Sequence, residues 1–277
     1  MVKIIDTDKL FTEFASDYIN KNMSGLSPKE IEDRIDELFA AFADTPLTAL
    51  NGKTPNTYYT VFEITDLIKA LKKHVDTSIE PPVYLIDEIV KKQGGEDLLI
   101  SYLASDKEEL IIYAMNILSE KNCVKACDKF FDFILWDYGE TITELATEFL
   151  TIYPDQVKER AIDSFKEVKK QKRGYLLEIL SRVTVKDNRI FEILLNEFIL
   201  NPDNIPLYAN YLSRYGDERA LPVLLTQIES DKIDYSDYQE LKCAIEALGG
   251  EYNNKRDFST DRAYLAVQKA KENSKLN

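Results

Sequence analysis

The chain has 277 residues, a formal net charge of −14 and a sequence pI near 4.7, so its mean field repels phosphate backbones and anionic lipid headgroups. Glycine and proline are scarce, nine of each, and the hydrophobic fraction is an ordinary 44%, which excludes a disordered or turn-rich β protein. No window approaches the roughly 18 uninterrupted apolar residues of a membrane span, the first residues lack the apolar stretch of a secretory signal, and three cysteines fit reduced thiols, so a cytoplasmic protein without a membrane partner is expected.

In chain order, Ile4 to Lys21 reads as a first helix with Leu10, Phe11, Phe14, Tyr18 and Ile19 on its apolar face. Gly25 breaks it. Ser27-Pro28-Lys29-Glu30 is a capping box with proline at the first helical position, opening a helix whose apolar face is Ile31, Ile35, Leu38, Phe39 and Phe42. Asn51-Gly52 supplies a tight turn, and Thr54-Pro55 starts a helix expected to run to about Val75. Pro81-Pro82 begins another, closed by Gly94-Gly95. Residues 1–93 are therefore expected to form an N-terminal helical region, a divergent cap continuous with an array over residues 94–277.

The array announces itself by a leucine followed by a small hydroxyl residue. Leu118-Ser119, Leu150-Thr151, Leu180-Ser181 and Leu212-Ser213 recur at 32, 30 and 32 residues, and a related Leu248-Gly249 follows after 36. A period of about 31, with each unit reading as two short amphipathic helices, is the pattern of an all-α solenoid of tandem antiparallel helix hairpins. The second helices are expected at Cys123 to Tyr138, Pro154 to Lys170, Asp187 to Leu200, Asp217 to Glu229 and Asp261 to Asn273.

The stretch YGDERALPVLL, Tyr215 to Leu225, followed by CAIEALGG, Cys243 to Gly250, resembles HEAT repeats of the phycobilisome-lyase type. In that family glycine closes the first helix, aspartate caps the second, arginine and alanine begin it and proline lies in its opening turn; here those are Gly216, Asp217, Arg219, Ala220 and Pro222. The resemblance covers about residues 180–250. It implies a right-handed α-α superhelix with a concave side lined by the second helices, a fold used by scaffolds, adaptors and a minority of enzymes.

Several patterns suggest chemistry and then lose the argument. Gly52-Lys53-Thr54 has the ending of a phosphate-binding loop, but Leu47 stands where its first glycine belongs and Pro55 removes an amide donor. Cys123 and Cys127 share a helical face, yet a structural zinc needs four ligands and His74 and Cys243 are remote, so both read as buried small hydrophobes. His74, the single histidine, reads as a helix-end residue favoured by the dipole. With 49 acidic residues, carboxylate pairs arise by chance everywhere. Ser274-Lys275-Leu276 has the make-up of a peroxisomal address, but Asn277 follows and no such role is expected.

Asp187 with Arg189, repeated as Asp217 with Arg219, reads as architecture: a cap accepting helix amides and an arginine bridging adjacent units. Partner-binding candidates are the cations Lys166, Lys169, Lys170 and Arg173, which form one stripe if the helix continues that far, and the tyrosines Tyr208 and Tyr211. The expectation is a non-catalytic module or scaffold that binds an unknown protein or peptide, with no cofactor and no metal. The alternative is a HEAT-fold enzyme such as a DNA glycosylase-like protein, which the acidic balance disfavours as it disfavours any nucleic-acid partner.

Overall fold

The apolar periodicity becomes helix throughout, and the computed structural model describes residues 2–136 and 138–274. Lys275 to Asn277, including most of the address-like tripeptide, and Asp137, within one expected helix, lie outside the described residues. Among those described there is no strand, only a single bridge between Leu47 and Lys53 that closes the Asn51-Gly52 turn. The helices divide between two compact units, Met1–Lys129 and Phe130–Asn277.

The first unit contains α1 (Thr7–Asn22), α2 (Pro28–Glu32), α3 (Ile35–Ala43), α4 (Pro55–Tyr58), α5 (Ile64–Asp76), α6 (Val83–Lys91), α7 (Glu96–Tyr102) and α8 (Glu108–Glu120). The Ser27 capping box forms as read, with Glu30 bonding back to the Ser27 amide at 2.8 Å. Two expected helices are interrupted. The helix after Ser27 breaks at Asp33-Arg34 into α2 and α3, and the one expected from Thr54 to Val75 breaks at Phe62, whose backbone is extended. Tyr58 and Tyr59 are both buried, and adjacent residues of a regular helix point about 100° apart, so the chain turns there to cover both rings.

α9 (Cys127–Leu135) crosses the boundary between the units, and the second unit continues with α10 (Glu140–Ile152), α11 (Pro154–Ser164), α12 (Arg173–Leu180), α13 (Asn188–Leu200), α14 (Ile205–Tyr215), α15 (Leu221–Ile228), α16 (Tyr235–Ala247) and α17 (Arg262–Ser274). α10 packs on α12, α12 on α14 and α14 on α16, so these alternate helices form one layer. Each second helix packs along the first helix that follows: α11 on α12, α13 on α14, α15 on α16. The closely packed hairpins are thus α11–α12, α13–α14 and α15–α16, shifted by one helix from the pairing read in the sequence, in which α12 would pack on α13 and α14 on α15.

The leucine–hydroxyl signature marks the end of each first helix in this unit. Leu150, Leu180 and Leu212 are essentially fully buried. The hydroxyl after each returns to a carbonyl of its own last turn, Thr151 to Glu148 at 2.7 Å, Ser181 to Glu178 and Ser213 to Asn210 at 3.0 Å. Periodic residues in sequence are therefore periodic helix ends in space.

A lysine device of similar spacing appears in the first unit, on both sides of Gly94-Gly95. Lys121, its side chain 6% exposed, donates to the carbonyls of Ile89, Val90 and Lys92 at the end of α6, while Lys92 donates to the Thr60 carbonyl 32 residues back. These ammonium groups satisfy helix-end carbonyls that have no partner within the helix.

Candidate functional site

At the edge where second helices begin, the Asp–Arg pairs are joined into a ladder. Asp187 caps α13 by accepting from the Arg189 amide at 2.9 Å, and Asp217 accepts from the Arg219 amide at 3.1 Å. Each aspartate also holds its own arginine, and each arginine reaches back to the preceding second helix: Arg189 to Glu159 at 3.0 Å, Arg219 to Asn188 at 2.6 Å. Arg160 continues the series to Asp132 at 2.7 Å. The guanidinium groups of Arg160 and Arg219 also lie over the rings of Phe131 and Phe191, 4.7 and 4.1 Å from their centroids. The charge-assisted bond from Arg189, reinforced by Lys158, holds the Asp187 carboxyl down at about 2.

The opposite edge, where second helices end and first helices begin, is chemically different. α11 stops at Ser164, so the expected stripe does not form: Lys166 and Lys169 lie in the loop, Lys170 opens a single 3-10 turn, and Arg173 starts α12. Spacing of charges three or four apart carries no burial to enforce a helix, whereas the apolar positions that do enforce α11 end before Lys166. Arg173 is committed inward, 3.2 Å from the nearly buried Glu197 and over the Phe165 ring. Tyr211 is 5% exposed, and burial with the nearby Glu178 carboxylate pushes its hydroxyl up to about 12; it is a core residue and offers a partner no surface. Tyr208 stands half-buried against it, ring edge to face.

The feature missed in the sequence is Trp136, the single tryptophan, which follows α9 and is 64% exposed. An indole left in water at the end of a helix departs from the usual burial of this residue type. It lines an open cleft of about 440 Å3 with Leu135, Ser164, Glu167, Val168, Lys169 and Lys172. Lys172 donates to the Trp136 carbonyl at 2.5 Å, tying the loop after α11 to the end of α9. A second, smaller recess of 260 Å3 continues past Lys169 and Lys172 to Gly139, Glu140, Thr143, Gln171 and Tyr175, so the two lysines stand between the two hollows. Gly139 turns the chain here at φ 93°, a left-handed conformation that favours glycine. The arrangement combines an apolar floor and one exposed indole with two ammonium groups and the Glu167 carboxylate.

The other sequence candidates sit elsewhere. Cys123 and Cys127 are buried, and desolvation raises both thiols, Cys127 to about 11. His74 lies in the last turn of α5, at the helix end as read, and it is also completely buried, with Nδ1 3.2 Å from the Ile79 carbonyl. No group of three or more His, Cys, Asp or Glu side chains among the described residues is arranged to hold a metal. Among the described residues no helix is long and apolar enough to cross a membrane.

No family model matches the chain, and neither does any curated protein or solved structure.

Proposed function

We propose that the second unit is a helical-repeat binding module of the HEAT-like kind, a scaffold without catalytic activity, and that the cleft around Trp136 receives an acidic peptide segment carrying a bulky apolar side chain. The observation that carries the reading is the juxtaposition of an exposed indole with Lys169 and Lys172 in a chain whose net charge is −14. Exposed tryptophan in a concave apolar setting is the usual anchor of a binding hot spot, and flanking ammonium groups select carboxylates. The Arg160 bond to Asp132 and the Lys172 bond to the Trp136 carbonyl tie α11 and the loop after it to α9, a support that lowers the ordering cost of binding.

A peptide suits this site better than a nucleic acid. Screening confines the local positive field to a distance of roughly 8 Å at physiological salt, and a phosphate backbone extends past it into the field of an acidic protein. Selection of displayed random peptides on the full chain tests the proposal. Enrichment of Asp/Glu-rich sequences with an aromatic or leucine, abolished by Lys169→Glu with Lys172→Glu, is expected. Enrichment that survives the double variant, or retention of single-stranded nucleic acid in preference to peptide, overturns it.

A further inference from the structure

The first unit carries a second surface of opposite character. Phe11 of α1 stacks on Phe39 of α3 with ring centroids 4.4 Å apart and planes 6° from parallel, and Phe42 meets Phe11 edge-on at 5.3 Å. Phe42 is buried beneath, but Phe39 remains 49% exposed, and Val83 in the first turn of α6 is 60% exposed. Both line a cleft of 340 Å3 walled by Pro81, Pro82 and Tyr84. α1 has no fully buried residue, so its apolar side is only half covered by the rest of the unit. Large apolar side chains gathered at the mouth of one concavity, and not scattered singly, mark an interaction surface.

The rim is acidic. Asp8 and Glu80 line the cleft, and the carboxylates of Asp44 and Asp87 stand close enough to Tyr84 to add to the burial that raises its hydroxyl. Neither Asp8 nor Glu80 forms an ion pair with a lysine or arginine among the described residues. An apolar floor with unneutralised carboxylates around it is complementary to a segment that presents bulky apolar side chains flanked by lysine or arginine. The volume lies at the low end of the roughly 300–1,000 Å3 of binding pockets, enough for anchor side chains while the rest of the segment lies across the rim.

We propose that this cleft docks a basic, amphipathic segment of a partner protein, with Phe39 and Val83 as apolar anchors and Asp8 and Glu80 as charge selectors. The test uses the full chain and a fluorescein-labelled 16-residue peptide of repeating Lys-Leu-Leu-Lys sequence, with a Glu-for-Lys version as control, followed by anisotropy at low and high salt. Saturable binding of the basic peptide is expected, weakened about tenfold or more by Phe39→Ala, by Val83→Asp and by Asp8→Lys with Glu80→Lys, and unchanged by Trp136→Ala. Phe39 and Val83 are both exposed, so either variant serves if the other fails to fold. Equal binding by the apolar-site variants reduces the effect to general attraction by an acidic protein and overturns the proposal, as does equal binding of the acidic control. A homodimer that dissociates in Phe39→Ala during sedimentation also overturns it, since the occupant is then a second copy of the chain.

Discussion

Tyr215 exchanges two hydrogen bonds with the backbone of Asp187 at the start of α13: the Asp187 amide donates to the phenol oxygen at 2.6 Å, and the phenol donates to the Asp187 carbonyl at 3.0 Å. The ring is 1% exposed, and the Lys186 ammonium lies 4.3 Å from its centroid while donating to the Tyr215 carbonyl. One side chain at the end of α14 thus fixes the turn that launches α13. Tyr215→Phe leaves an amide and a carbonyl without their partner at unchanged volume, which costs about 1–3 kcal/mol. Chemical denaturation should show a lower midpoint with unchanged m value; an unaltered midpoint would mean that the turn is held by α13 alone.

The cap itself makes a separable contribution. Asp217→Ala removes the side chain that accepts the Arg219 amide and is expected to cost about 1 kcal/mol, whereas Asp217→Asn, an equally good cap, should recover most of it. The comparison is read from thermal melting of the three proteins, and equal losses in both variants would assign the effect to the Arg219 ion pair instead.

His74 gives the fold an acid limit. Burial lowers its pKa below the ordinary 6.5, against a smaller opposing effect of its backbone hydrogen bonds at Ile79 and Glu80. The unfolded chain therefore binds this proton more readily than the folded one, so the stability gained by keeping the ring neutral is complete above about pH 6.5 and declines as pH falls toward the lower folded value. Urea midpoints measured at pH 7.5 and pH 5 should fall more in the native protein than in His74→Leu. Parallel declines would remove His74 from the account.

Much of the architecture is legible in the sequence because the burial that enforces it is periodic. Leu150, Leu180 and Leu212 end first helices, Asp187 and Asp217 start second ones, and the repeat of both pairs is visible without coordinates. The candidate site is less legible. Lys166, Lys169, Lys170 and Arg173 suggested a stripe because charge spacing imitates helical periodicity, but α11 ends at Ser164 and Arg173 turns to Glu197. Trp136 is visible in the sequence as the single indole, but nothing there marks it as exposed, because exposure depends on where α9 ends. The lysine bonds from Lys92 and Lys121 were equally hidden, because a lysine that satisfies carbonyls has the same letter as one in water.

The sign of the local field at the indole is measurable on its own. Lys169 and Lys172 beside Trp136 should make iodide a better quencher of its fluorescence than caesium at low salt, in a protein whose overall charge favours the reverse. Lys172→Glu with Lys169→Glu is expected to invert the order. Preference for caesium in the native protein would show that the acidic surroundings dominate the cleft.

Because Trp136 is the single tryptophan, its emission, excited at a wavelength the sixteen tyrosines do not absorb, reports the proposed binding cleft. The most direct measurement is its emission during titration with a short peptide in which a leucine or phenylalanine is flanked by glutamates, with a lysine-flanked peptide as control. A saturable change with the acidic peptide alone, lost in Lys169→Glu with Lys172→Glu, is the predicted result. No change, or the same change with the basic peptide, would contradict the assignment of this cleft as the module's acidic-segment site.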